Sequence, residues 1–254
     1  MNRMMFAAAL CVSLGAAAAH AEIDIHAADC GLHSDYSLSV NSDNLEFKRK
    51  SGTPADVVIA NGSLYIDGQA LAVSAADRQR LLDIEHGVRD TLPEVKAIAH
   101  EAITIAIDAV TEVSAAFARD PEAARASAQR LARAAHELDQ RIAESNSFSD
   151  WKDGDIDRLV GSIAGTLVSE IVGNVAGQAI TVALSGDEKA AAELEARANG
   201  IEKNIDRVVE RRSKALEHRA EGLCPRLHTL ASLASALEVR LPDGRRLDLA
   251  QIGR

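Results

Sequence analysis

The run Val57-Val58-Ile59-Ala60-Asn61-Gly62-Ser63-Leu64-Tyr65-Ile66-Asp67-Gly68-Gln69-Ala70-Leu71-Ala72-Val73-Ser74-Ala75-Ala76-Asp77 is where the chain changes period. Up to Val73 short apolar stretches alternate with turn signals. Asn61-Gly62 and Asp67-Gly68 both suit type I′ turns, because both central residues tolerate positive φ, so residues 57–59, 64–66 and 70–73 should be consecutive antiparallel strands. Working backwards, Leu45 and Phe47 alternate with Glu46 and Lys48, and Tyr36, Leu38 and Val40 alternate with Ser37 and Ser39. Asn41-Ser42-Asp43-Asn44 supplies the turn between them. Residues 22–73 therefore form a small antiparallel meander. Working forwards, Ser74-Ala75-Ala76-Asp77 has the form of a capping box, which opens a helix expected to run through about Val88 and to stop at Thr91-Leu92-Pro93.

The rest of the chain is helical in period. Ala99, Ile103, Ala106, Val110, Val113 and Phe117 lie on one face, and Ala124, Ala128, Leu131, Ala135, Leu138 and Ile142 repeat that spacing. Asp120 and Pro121 between them suit an N-cap and a first helical position, so the two helices should fold back as an antiparallel pair. In residues 156–185 small side chains recur every fourth position, at Gly161, Gly165, Ser169, Gly173, Gly177, Thr181 and Ser185. Four glycines inside a helix cost about 3–4 kcal/mol relative to alanine. The expected compensation is the close approach of another backbone, foremost another helix of this chain, along that ladder. A membrane span is disfavoured by Glu170, Asn174 and Gln178, although membrane contact stays open. A charged helix follows from about Asp187, with Leu194, Ile201, Val208 and Ala215 recurring by sevens, and it breaks at Gly222-Leu223-Cys224-Pro225. A last hairpin around Pro242-Asp243-Gly244 should add strands to the first sheet.

The fold expected is α+β and mainly helical, a small antiparallel sheet from both chain ends with a bundle of long Ala-rich helices. Its parts are a leader at 1–21, the meander at 22–73, a helical bundle at 74–236 and a terminal hairpin at 237–254. The leader has Arg3, an apolar stretch from Met4 to Gly15, and small residues at Ala19 and Ala21, so cleavage is expected after Ala21 and export to the periplasm with it. Loss of Cys11 leaves Cys30 and Cys224, which read as one disulfide in an oxidising compartment. Cys30 and His33 with Cys224 and His228 also make up a ligand set for structural zinc.

Charge and composition exclude several functions. A formal charge of −10 without a basic stripe speaks against nucleic acid as a partner. An aromatic content of 3% gives little with which to stack bases or sugars. Lys48-Arg49-Lys50 is too short a basic run for docking on lipid. Asp150, Asp153, Asp155 and Asp157 around Gly154 are dense enough to raise calcium, but the spacing fails the EF-hand pattern and N-capping explains them better. His100-Glu101 and His136-Glu137 lack the second histidine of a zinc protease, and neither a phosphate loop nor a nucleophile elbow occurs. No cofactor, metal or catalytic residue is expected.

Residues 61–68, Leu71, residues 74–79 (Ser-Ala-Ala-Asp-Arg-Gln), Leu92-Pro93, an early cysteine and a late one together resemble the YggN-like family of uncharacterised periplasmic proteins. The resemblance implies a periplasmic address and a strand-then-helix layout; it carries over no catalytic residue, and the tail after Ala236 extends beyond it. The functional expectation is a non-enzymatic envelope protein. Its helical surface, with the ladder Gly161, Gly165, Ser169, Gly173 and Gly177, would meet a protein partner or a second copy. The alternative is a carrier of lipid or another apolar ligand between loosened helices.

Overall fold

A computed structural model describes residues 30–118, 120–146 and 155–252. The proposed leader and residues 22–29 lie outside the described residues, as do Asp150 and Asp153, and the side chains of Asp155 and Asp157. The elements are β1 (Leu32–His33), β2 (Ser37–Val40), β3 (Leu45–Lys48), β4 (Asp56–Ala60), β5 (Ser63–Ile66), β6 (Gln69–Leu71), α1 (Ala75–Phe117), α2 (Pro121–Glu144), α3 (Asp155–Ser185), α4 (Glu188–Glu221), α5 (Cys224–Ser235) and β7 (Gln251–Ile252). They form two compact units interleaved along the sequence. Among the described residues, one comprises 30–103, 137–146, 155–159 and 213–252, and the other comprises 104–118, 120–136 and 160–212.

The first unit contains the meander. Strands β2 to β6 pair antiparallel in sequence order, with Leu38 opposite Phe47 and Ile59 opposite Leu64. Both predicted turns adopt left-handed backbone at their two central residues, Asn61 and Gly62 at φ 51° and 71°, Asp67 and Gly68 at 47° and 80°. Alternation then puts Leu45, Phe47, Val57, Ile59, Leu64 and Ile66 on one buried face, where Leu81 and Ile84 of α1 cover them. The tail does turn at Pro242-Asp243-Gly244, with a bridge between Arg240 and Arg246. It adds no strand to the five-stranded sheet. Instead Leu237, Val239, Leu241, Leu247 and Leu249 bury their side chains in the same core, and β7 pairs with β1 in a separate two-stranded sheet that joins the chain ends.

Helix α1 corrects the sequence reading most plainly, since it runs through Pro93 without stopping. An interior proline loses a hydrogen bond and crowds the preceding turn, at a cost of about 3 kcal/mol. Burial on both sides offsets this: Ile84, Val88 and Leu92 pack on the sheet core, while Val95 and Ile98 pack on a second cluster with Ala220 and Leu223. Two buried carboxylates tie α1 to distant backbone. Ser74 caps the Asp77 amide at 3.0 Å, as a capping box requires, but the Asp77 carboxylate accepts from Arg80 and from the Glu238 amide at 3.1 Å. Glu85 accepts from the amides of Asn61 and Gly62 at 3.0 and 2.9 Å, and so clasps the β4–β5 turn.

The α1–α2 pair is antiparallel: Lys96 donates to the Ala143 carbonyl and His100 meets Asp139 at 2.8 Å. Asp120 caps the Ala123 amide and Pro121 opens α2, as the sequence implied. In the second unit Phe117 and Leu131 are buried, and Gln178 of α3 donates to the Phe117 carbonyl. Asp187 caps α4 through the amides of Lys189 and Ala190. The sevenfold seam of α4 is not covered along its length, because Val208 and Ala215 are exposed.

Candidate functional site

The ladder follows from α3 being one uninterrupted helix, which sets residues four apart along a slowly winding line. Among the described residues, a Cβ added at Gly161, Gly165, Gly173 or Gly177 would meet nothing within 4 Å. The close approach expected of another helix is thus not seen at these four positions among the described residues. Ser169 turns its hydroxyl onto the Gly165 carbonyl at 2.8 Å, and Thr181 does the same to Gly177 at 2.9 Å. Such back-bonding satisfies both hydroxyls within the helix, so the line they stand on presents little hydrogen-bonding demand. Val172, Ile180 and Leu184 are 51%, 60% and 83% exposed. Between α3 and α4 the unit leaves a cleft of about 760 Å³, with Ser169, Gly173, Gly177 and Thr181 on one wall and Leu194 and Arg197 on the other. Asn174, Gln178 and Glu193 also line it, which makes it a poor berth for a purely apolar ligand.

Cys30 and Cys224 are joined by a disulfide, with Cα atoms 5.3 Å apart. Neither thiolate is then available to a metal, so the zinc alternative falls. His228 hydrogen-bonds the Cys30 carbonyl at 2.7 Å. Among the described residues no group of three His, Cys, Asp or Glu side chains is placed to hold a metal ion. No helix among them is long and apolar enough to cross a membrane.

A second concavity, of about 1100 Å³, lies within the sheet unit and was not anticipated. Its helical wall carries Val88, Leu92 and Val95 of α1 and Leu227 and Leu230 of α5, and it spans the gap between the two hydrophobic clusters. Thr91 on that wall donates to the Gly87 carbonyl at 2.7 Å and so offers no unsatisfied proton. The opposite wall is Tyr36, Leu38 and Phe47 with Lys48, Arg49 and Lys50. The Arg49 guanidinium lies 4.7 Å from the Tyr36 ring centroid and donates to the Pro54 carbonyl at 2.7 Å. Gly52, at φ 96°, leaves room for it, since a Cβ there would stand 3.0 Å from the guanidinium carbon. Burial pushes the Tyr36 phenol up, only partly opposed by Arg49. The only hint in the sequence is the basic run 48–50; the apolar wall is assembled from residues more than a hundred positions apart.

Fold and sites together define a mainly helical α+β scaffold whose ends are clamped by a disulfide, with an open small-residue helix face and an apolar groove. The chain belongs to a family of proteins of unknown function, DUF2884, whose model matches residues 30–250. No curated protein and no solved structure matches it.

Proposed function

We propose that the protein is a non-enzymatic interaction module of the periplasm, and that the α3–α4 hairpin receives a helix of a partner protein or of a second copy. The observation that carries this reading is the empty space before all four ladder glycines. Four helix-interior glycines cost about 3–4 kcal/mol, and no contact within the described chain offsets that cost. A helix laid in the cleft would gain close backbone approach at Gly173 and Gly177, with the exposed Ile180 on the adjoining turn at its rim. The periplasmic address is supported by the disulfide, which persists in oxidising compartments, and by the leader-like composition of residues 1–21.

The test is site-specific photocrosslinking in cells, with the reactive group at Ile180 or, as a control, at the exposed Lys203. A discrete adduct from Ile180 and none from Lys203 is expected. Equal labelling at both sites, or none from Ile180, would remove the reading.

A further inference from the structure

The groove of the sheet unit is independent of the ladder and has its own chemistry. Its apolar residues form one continuous lining, and five of them (Leu38, Val88, Leu92, Val95 and Leu227) are only partly buried by the protein itself. The charged groups gather in residues 35–50, where among the described lining residues Lys48, Arg49 and Lys50 stand with the carboxylate of Asp35, while Asp67 and Asp248 lie near enough to act on the Tyr36 phenol. Lys48 is already paired with Glu46 at 2.6 Å. Arg49 is held by a ring face and a carbonyl, neither of which carries a negative charge, and Gly52 keeps a side chain from crowding it. A guanidinium fixed in this way beside an apolar trough, in a chain of charge −10, is complementary to an anion with a long hydrocarbon tail. Three basic residues are too few to dock on an anionic lipid surface, whereas one fixed arginine suffices for one carboxylate. The volume lies just above the range of ordinary ligand pockets, which suits a flexible chain more than a compact metabolite.

We propose that this groove binds one long-chain fatty acid, with its carboxylate on Arg49 and its chain along the wall formed by Val88, Leu92, Val95 and Leu227. The experiment is titration of the purified chain with palmitate, followed by displacement of a fluorescent fatty acid, with hexadecanol as the uncharged ligand of equal length. Saturable one-to-one binding of palmitate is expected, with hexadecanol weaker. Arg49→Gln should weaken palmitate by about tenfold or more, the worth of a charge-assisted hydrogen bond, and leave hexadecanol unchanged. Val88→Trp, placed to fill the trough, should abolish both, with circular dichroism confirming that it folds. The ligand pair on the wild-type chain needs no variant. No saturable binding of palmitate, equal affinity for acid and alcohol, or uptake of label only from intact anionic vesicles would each overturn the proposal. A failure here leaves the crosslinking test at Ile180 unaffected.

Discussion

Glu85→Ala should be among the most damaging single substitutions outside the apolar core. The Glu85 side chain is buried, and its two oxygens accept from the amides of Asn61 and Gly62 at 3.0 and 2.9 Å. Both residues sit in the left-handed region that the turn requires, so their amides are fixed in direction, and that of Gly62 is buried. Alanine removes both acceptors, and at the buried Gly62 amide little water can replace the lost one. Hydrogen bonds to a charged group are worth about 1.5–3 kcal/mol each, so the pair amounts to about 3–6 kcal/mol. At about 2–4 °C per kcal/mol for a chain of this size, the melting temperature should fall by roughly 6–24 °C. Glu85→Gln keeps one acceptor and turns an amide group toward the other N–H, so about half the loss should remain. The assay is urea and thermal unfolding followed by far-ultraviolet circular dichroism. If Glu85→Ala stayed within about 0.5 kcal/mol of wild type, the level of an ordinary surface change, the clasp would not hold the turn.

Further outcomes follow from the same contacts. Cys30→Ser, or reduction of the wild type, opens a link between residues 194 positions apart and should cost about 5 kcal/mol in the chain-entropy model. Denaturant midpoints with and without reductant should converge in the variant. Burial alone would raise the Asp77 carboxyl, but hydrogen bonds from the Glu238 amide, Arg80 and Ser74 outweigh it and hold it below its ordinary value of 3.8. Its contribution to stability is therefore complete above that pH and disappears as the pH falls through the lower folded value. The gap in stability between wild type and Asp77→Asn should accordingly be flat from pH 7 to about 4 and close below. Gly62→Ala should destabilise through its φ of 71° and through a Cβ 2.9 Å from Leu82 and 3.0 Å from the Arg78 carbonyl. Equilibrium unfolding that places it level with wild type would refute this.

The parts of the fold legible in the sequence were those written in local chemistry. Asn61-Gly62 and Asp67-Gly68 set two hairpin turns, Asp120-Pro121 set a cap and a first turn, and Gly222-Leu223-Cys224-Pro225 set a break, all without reference to distant residues. Pro93 misled because its local cost is overridden by burial on either side, and that burial depends on strands and helices far along the chain. The tail misled for a similar reason. Its turn at Pro242-Asp243-Gly244 is real, but a turn signal cannot distinguish the packing of Leu237, Val239 and Leu241 on the core from pairing at a sheet's edge. Glu85, Asp77 and Arg49 look like solvated charges until the backbone groups they meet are placed in space. The ladder was visible as spacing, yet spacing does not reveal on which side a neighbour stands.

The measurement closest to the central claim uses the double variant Gly165→Leu with Gly173→Leu. The added Cβ atoms meet no described atom within 4 Å, and leucine is the better helix former, so the melting temperature should hold or rise. The Ile180 crosslink should disappear, because the bulk would stand where a second backbone has to lie. A variant that melts lower would mean the ladder is packed within the chain, and one that keeps the adduct would mean the partner does not use the ladder at all.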